Sequence, residues 1–99
     1  MNLIESNITG INTLCARHKV AKLFVFGSVI GKNFNESSDI DLLVDFKDVQ
    51  PNDYADNYFD FKFSLEKLFS RPVDLLEQQA LRNPYLKSAI DKSKKLIYG

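Results

Sequence analysis

The pattern Gly27-Ser28, ten residues, then Asp39-Ile40-Asp41 constrains this chain more than any other feature. Upstream, Lys22-Leu23-Phe24-Val25-Phe26 is short and rich in β-branched and aromatic side chains, so it predicts a buried strand ending at Gly27. Gly27 lets the backbone turn sharply and approach a ligand, and Ser28 adds a hydroxyl and an exposed N–H. Downstream, residues 39–46 predict a second strand. Strand side chains alternate, so Asp39 and Asp41 share one face while Ile40, Leu42, Val44 and Phe46 take the other. Two carboxylates with Cα atoms roughly 6–7 Å apart can grip a pair of Mg²⁺ ions about 3.5–4 Å apart, the geometry of two-metal phosphoryl and nucleotidyl transfer. A phosphate-sized turn beside a metal-binding strand implies a nucleoside triphosphate. Asp45 falls on the same face but further along, as a solvated acid at the strand end.

The remaining chain frames that site. Ninety-nine residues predict a single domain over 1–99, small enough that a permanent partner or homo-oligomer would be no surprise. Thirteen basic residues balance thirteen acidic ones, which argues against direct nucleic-acid binding. A single cysteine excludes an internal disulfide and fits a reducing compartment. With no membrane-spanning apolar run and no signal-peptide pattern, the expectation is a cytoplasmic protein without a membrane partner.

Ile4, Ile8, Ile11, Leu14/Cys15 and His18 follow helical spacing and predict one helix over about residues 3–18, with Cys15 a buried small hydrophobe. Gly10 weakens that helix, and His18 is expected to cap its end or stand in solvent. Residues 31–38 predict a polar loop. Asp53 is placed as the N-cap of a helix over residues 54–69, whose core stripe is Tyr54, Tyr58, Phe61, Leu65 and Leu68. Phe59 and Phe63 fall on nearly the opposite face. Either another element of the chain covers them or a partner does, and the small size favours a partner. Residues 71–76 predict a third strand, and Asn83-Pro84 starts a terminal helix with one face at Leu86, Ala89/Ile90, Ser93 and Ile97. Three strands interleaved with helices predict a small α/β (α+β) domain.

Gly-Ser-x10-Asp-x-Asp resembles the signature of the minimal nucleotidyltransferase domains, small members of the DNA polymerase β-like superfamily. Phe26-Gly27-Ser28-Val29, Ser38-Asp39-Ile40-Asp41-Leu42-Leu43-Val44 and Arg71-Pro72-Val73-Asp74-Leu75-Leu76 resemble family blocks in family order, so the likeness spans about the whole chain. It implies a mixed sheet with the site along one edge of its face. It also implies that Asp39 and Asp41 hold two Mg²⁺ ions and triphosphate oxygens. Asp74 would be the third carboxylate, binding the second ion and helping to deprotonate an attacking hydroxyl. Gly27 and Ser28 would hold the β- and γ-phosphates. Many relatives carry an arginine three residues after the serine, followed by a glycine. Here Gly31-Lys32 stands instead, with Lys32 either a substitute point charge or an ordinary loop lysine.

The resemblance implies a Mg²⁺-dependent transfer of AMP from ATP to an acceptor hydroxyl. Domains of this type accompany a helical toxin partner, the HEPN RNase, which they adenylylate on a tyrosine as its antitoxin. Two alternatives stay open: a catalytically weak antitoxin that neutralises its partner by contact, and a small-molecule nucleotidyltransferase, disfavoured because no substrate-binding domain follows.

Overall fold

The computed structural model describes residues 3–27 and 39–99. Four strands, β1 (Val20–Phe26), β2 (Ile40–Phe46), β3 (Val73–Glu77) and β4 (Lys95–Tyr98), form one sheet in the order β3-β2-β1-β4. β1 runs antiparallel to β2 and β4, while β2 and β3 are parallel. Helix α3 (Tyr54–Phe69) makes the crossover between the parallel strands, as a parallel pair requires. This is the mixed α/β sheet that the sequence predicts, with one more strand.

The added strand comes from the C-terminal segment. The expected helix ends early: α4 spans Pro84–Ser93, the Ser93 hydroxyl donates back to the Ala89 carbonyl at 3.1 Å, and Lys94 turns extended (φ −66°, ψ 147°). Residues 95–98 then pair with β1, because Leu-Ile-Tyr suits a strand and β1 would otherwise present an open edge. The start of α4 is as expected, with Asn83 Oδ1 accepting from the N–H groups of Tyr85 (2.9 Å) and Leu86 (3.2 Å).

One sheet face is covered by α2 (Ile8–Arg17) and α3. Leu23, Val25, Ile40, Leu42 and Val44 of the sheet pack there with Ile11, Cys15, Phe61 and Leu65. The N-terminal helix is interrupted: a single turn, α1 (Leu3–Ser6), precedes α2, and at Asn7 (φ −117°, ψ 15°) the side chain donates to the Leu3 carbonyl at 2.9 Å. An asparagine that bonds its own neighbouring backbone offers an alternative to helix propagation. Gly10 has a packing reason, since a β-carbon there would lie 2.8 Å from Leu68 Cδ1 of α3. Burial pushes the Cys15 thiol up to about 12, so it stays protonated at neutral pH and serves as core.

Two other details differ from expectation. His18 caps the C-terminus of α2, as expected, but is buried there rather than solvated: Nδ1 lies 2.7 Å from the Leu14 carbonyl oxygen, Nε2 lies 2.6 Å from Asp60 Oδ2, and the ring packs 5.3 Å from the Phe61 centroid. Asn57 Nδ2 also donates to the His18 carbonyl at 2.8 Å, so this residue ties α2 to α3. A burial of that kind depends on partners 42 residues away, which helical spacing cannot reveal. Asp53 stands at the N-cap position of α3, as expected, but its side chain makes no cap hydrogen bond, because a 3₁₀ turn (Pro51–Asp53) already feeds the chain into α3. On α3, Phe61 and Leu65 are buried and Tyr54, Tyr58 and Leu68 partly so, as predicted. Among the described residues, no helix is long and apolar enough to cross a membrane.

Candidate functional site

The second sheet face carries the acidic residues. Cross-strand pairing puts Phe26 beside Asp41, Phe24 beside Leu43 and Lys22 beside Asp45, and the parallel ladder puts Asp41 beside Asp74 and Leu43 beside Leu76. Directly paired residues point to the same face, so Phe24, Phe26, Asp41, Leu43, Asp45, Asp74 and Leu76 share this side. Leu43 is fully buried in it, which anchors the row next to Asp41. Neighbouring strands lie about 4.8 Å apart, so the Asp41 and Asp74 backbones are adjacent with both carboxylates on one face. Two carboxylates held so close favour binding a cation between them.

Gly27 closes the site from β1. Its φ of +76° is left-handed backbone that costs a side-chain-bearing residue roughly 1–2 kcal/mol. A β-carbon there would overlap Asp41 Oδ2 and come within 3.1 Å of Asp41 Cγ. The Asp41 carboxylate therefore fills the space that only a glycine leaves. Sequence spacing pairs these residues by motif; the structure adds that they touch.

The remaining predicted positions are less tightly gathered. Asp39 is exposed and immediately precedes β2, one residue upstream of the first ladder bond, in which Ile40 N–H donates to the Pro72 carbonyl at 3.1 Å. Asp74 is exposed and Asp41 half-buried. Among the described residues, no three His, Cys, Asp or Glu side chains stand close enough to hold one metal ion. Ser28, Lys32 and the predicted 31–38 loop lie outside the described residues. Asp45, expected in solvent, is half-buried opposite Lys22, a favourable cross-strand charge pair.

The model of the nucleotidyltransferase domain family matches residues 9–97. The chain belongs to that family. Among curated relatives, this nucleotidyltransferase is 37% identical over 82 residues to a Methanocaldococcus jannaschii protein provisionally named protein adenylyltransferase MJ0128, covering 83% of this chain and 79% of the relative. A second protein from the same organism, provisionally named protein adenylyltransferase MJ1379, is 33% identical over the same shares. Among solved structures, a provisionally named minimal nucleotidyltransferase superposes with a TM-score of 0.77 at 30% identity, over 96% of this chain and 95% of that one. The same fold recurs in a complex of tri-AMPylated Shewanella oneidensis HEPN toxin with MNT antitoxin (TM-score 0.67, 22% identity, 96% and 71% coverage).

For a nucleotidyltransferase, the donor set matters more than a preformed cage. Mg²⁺ prefers hard oxygen ligands and is commonly bound by one or two carboxylates together with substrate phosphates. Asp41 and Asp74, side by side on one face at the end of β1, fit that requirement without a third protein ligand. One residue at the rim escapes sequence reasoning altogether. Lys94 lies within the run predicted as one continuous helix, yet it ends α4 and leads into β4 beside the end of β1. Only the edge pairing, a long-range feature, brings it there.

Proposed function

We propose that this nucleotidyltransferase moves AMP from ATP to a hydroxyl of a partner protein, a HEPN-type toxin, and so acts as its antitoxin. The observation that carries the chemical part is the register Asp41 to Asp74 with Gly27 packed on Asp41. Asp41 and Asp74, with Asp39 at the strand entrance, would hold Mg²⁺, which when bound offsets phosphate charge and lowers the pKa of the attacking hydroxyl. The Gly27 turn would present backbone to the β- and γ-phosphates, and the family resemblance adds Ser28, with Lys32 as a point charge, to the nucleotide-binding residues. The acceptor oxygen forms a bond to the α-phosphorus, and the bond from that phosphorus to the bridging oxygen breaks. The electron pair leaves with pyrophosphate, and the hydroxyl proton passes to the Asp74 carboxylate and on to water.

A protein acceptor is supported by the names of the curated relatives and by the AMPylated toxin in the structural neighbour. A further solved neighbour is a toxin–antitoxin complex with AMP-PNP, which supports ATP as donor. The chain's own surface agrees. Phe59 and Phe63 are 48% and 58% exposed, and their rings stack 5.9 Å apart on the outer face of α3. Paired exposed aromatics are the kind of anchor that protein interfaces use. Neutralisation by contact alone draws on the same surface.

Incubation with ATP radiolabelled at the α-phosphate, Mg²⁺ and a HEPN-type protein from the same organism that forms a complex with this chain separates the two readings. AMP transfer predicts label on the partner from α-labelled ATP and none from γ-labelled ATP. A stable, inhibited complex that takes up no label from either would leave contact neutralisation standing and reject the transfer.

A further inference from the structure

Lys94 occupies an unusual position for a surface lysine. The β1–β4 ladder pairs Phe24 with Leu96 and Val25 with Lys95. One step further along, the extended Lys94 backbone comes beside Phe26, the last residue before the Gly27 turn. Phe26 has Asp41 as its neighbour on the other side. The end of β1 is thus flanked by a carboxylate on β2 and an ammonium on the β4 edge. The Lys94 side chain folds onto the Asp41 face, since its Nζ lies 4.4 Å from the centroid of Phe24, and Phe24 pairs with Leu43 on that face.

Two contacts hold the ammonium there: the Phe24 ring and Asp91 Oδ1 at 2.9 Å, one helical turn earlier. Asp91 is 42% exposed, and an ion pair of that kind is weak and exchangeable. A triphosphate carries several negative charges and would outcompete a single surface carboxylate. The long, flexible lysine side chain can swing its ammonium off the Phe24 ring, exchanging one weak cation contact for charged phosphate oxygens.

We propose that Lys94 is a triphosphate-binding residue, releasing Asp91 to contact the β- and γ-phosphates held at the Gly27 turn. This rests on the reading of the site as a nucleotidyltransferase centre. The competing explanation is purely structural: a lysine at a helix C-terminus complements the helix dipole, and its ammonium rests over an aromatic ring. The two differ in which nucleotide they affect.

The test measures Mg²⁺-supported binding of a non-hydrolysable ATP analogue and of AMP by calorimetry, with no turnover required. Lys94→Met keeps an unbranched apolar side chain beside Phe24 and removes the charge; Lys94→Arg keeps a long side chain and the charge. The expected result is a loss of about tenfold in ATP-analogue affinity for the methionine variant, the scale of one charge-assisted hydrogen bond. AMP affinity should change less than about twofold in it, and the arginine variant should stay near wild type for both ligands. Equal losses for both nucleotides, or no loss for either, would overturn the proposal and leave Lys94 a structural cap. An unmodified protein that binds no ATP analogue at all would instead reject the nucleotide site itself, and Lys94's role with it.

Discussion

Asp41→Asn should lower AMP transfer by about a thousandfold, the kinetic equivalent of ~4 kcal/mol and the scale of charge stabilisation that a metal site supplies. The side chain keeps its shape, so its fit beneath Gly27 persists and the fold with it. The loss is specific to the charge that the cation and phosphates require. Asp74→Asn should follow closely, because its carboxylate is the direct neighbour of Asp41 in the parallel ladder. Asp74 is exposed, so that substitution should change stability by less than about 0.5 kcal/mol. Single-turnover transfer assays together with urea unfolding of each variant check both halves of the prediction. A variant that unfolds at much lower urea would move the effect from chemistry to structure.

The second large effect is expected at Gly27. Alanine there takes on the left-handed backbone cost of about 1–2 kcal/mol and adds overpacking of about 1–3 kcal/mol where its β-carbon meets the Asp41 carboxylate. Relief of that overlap turns Asp41 away from Asp74, so transfer should fall about as far as in Asp41→Asn. A double-mutant cycle separates the two costs. In an Asp41→Ala background the overlap is gone, and Gly27→Ala should cost only the backbone part, about 1–2 kcal/mol. Equal costs in the two backgrounds would mean that Gly27 and Asp41 do not depend on each other.

These two predictions rest on contacts of different legibility. Gly27, Asp39 and Asp41 are readable as candidate site residues because glycine turns and strand alternation are local rules, whereas Asp74 is a candidate only through the family resemblance. That Asp74 lies in register with Asp41 is not readable, because parallel pairing through a helical crossover joins segments 33 residues apart. Asp39 and Asp41 satisfy the alternation rule, yet Asp39 falls just outside the strand, where no ladder bond fixes its side chain.

The same division runs through the fold. Helix α3 and the strands that bear the acids follow from periodicity, and the Asn83-Pro84 helix start follows from capping chemistry. The C-terminal segment misleads because Leu86, Ile90 and Ile97 fit a helical spacing while Leu96, Ile97 and Tyr98 also fit a strand. The open edge of β1 decides between them, and only the assembled sheet has that edge. His18 and Lys94 owe their positions to partners on other elements, so single-element patterns miss both.

The central claim is that Asp41 and Asp74 hold a divalent cation together with the nucleotide. Mn²⁺ in place of Mg²⁺, followed by electron paramagnetic resonance in the presence of a non-hydrolysable ATP analogue, tests it most directly. Because no three ligating side chains are gathered among the described residues, tight Mn²⁺ binding should require the nucleotide. It should be lost in the Asp41→Asn/Asp74→Asn double variant. Nucleotide-dependent Mn²⁺ binding of unchanged affinity in that variant would contradict the claim and place the metal site elsewhere.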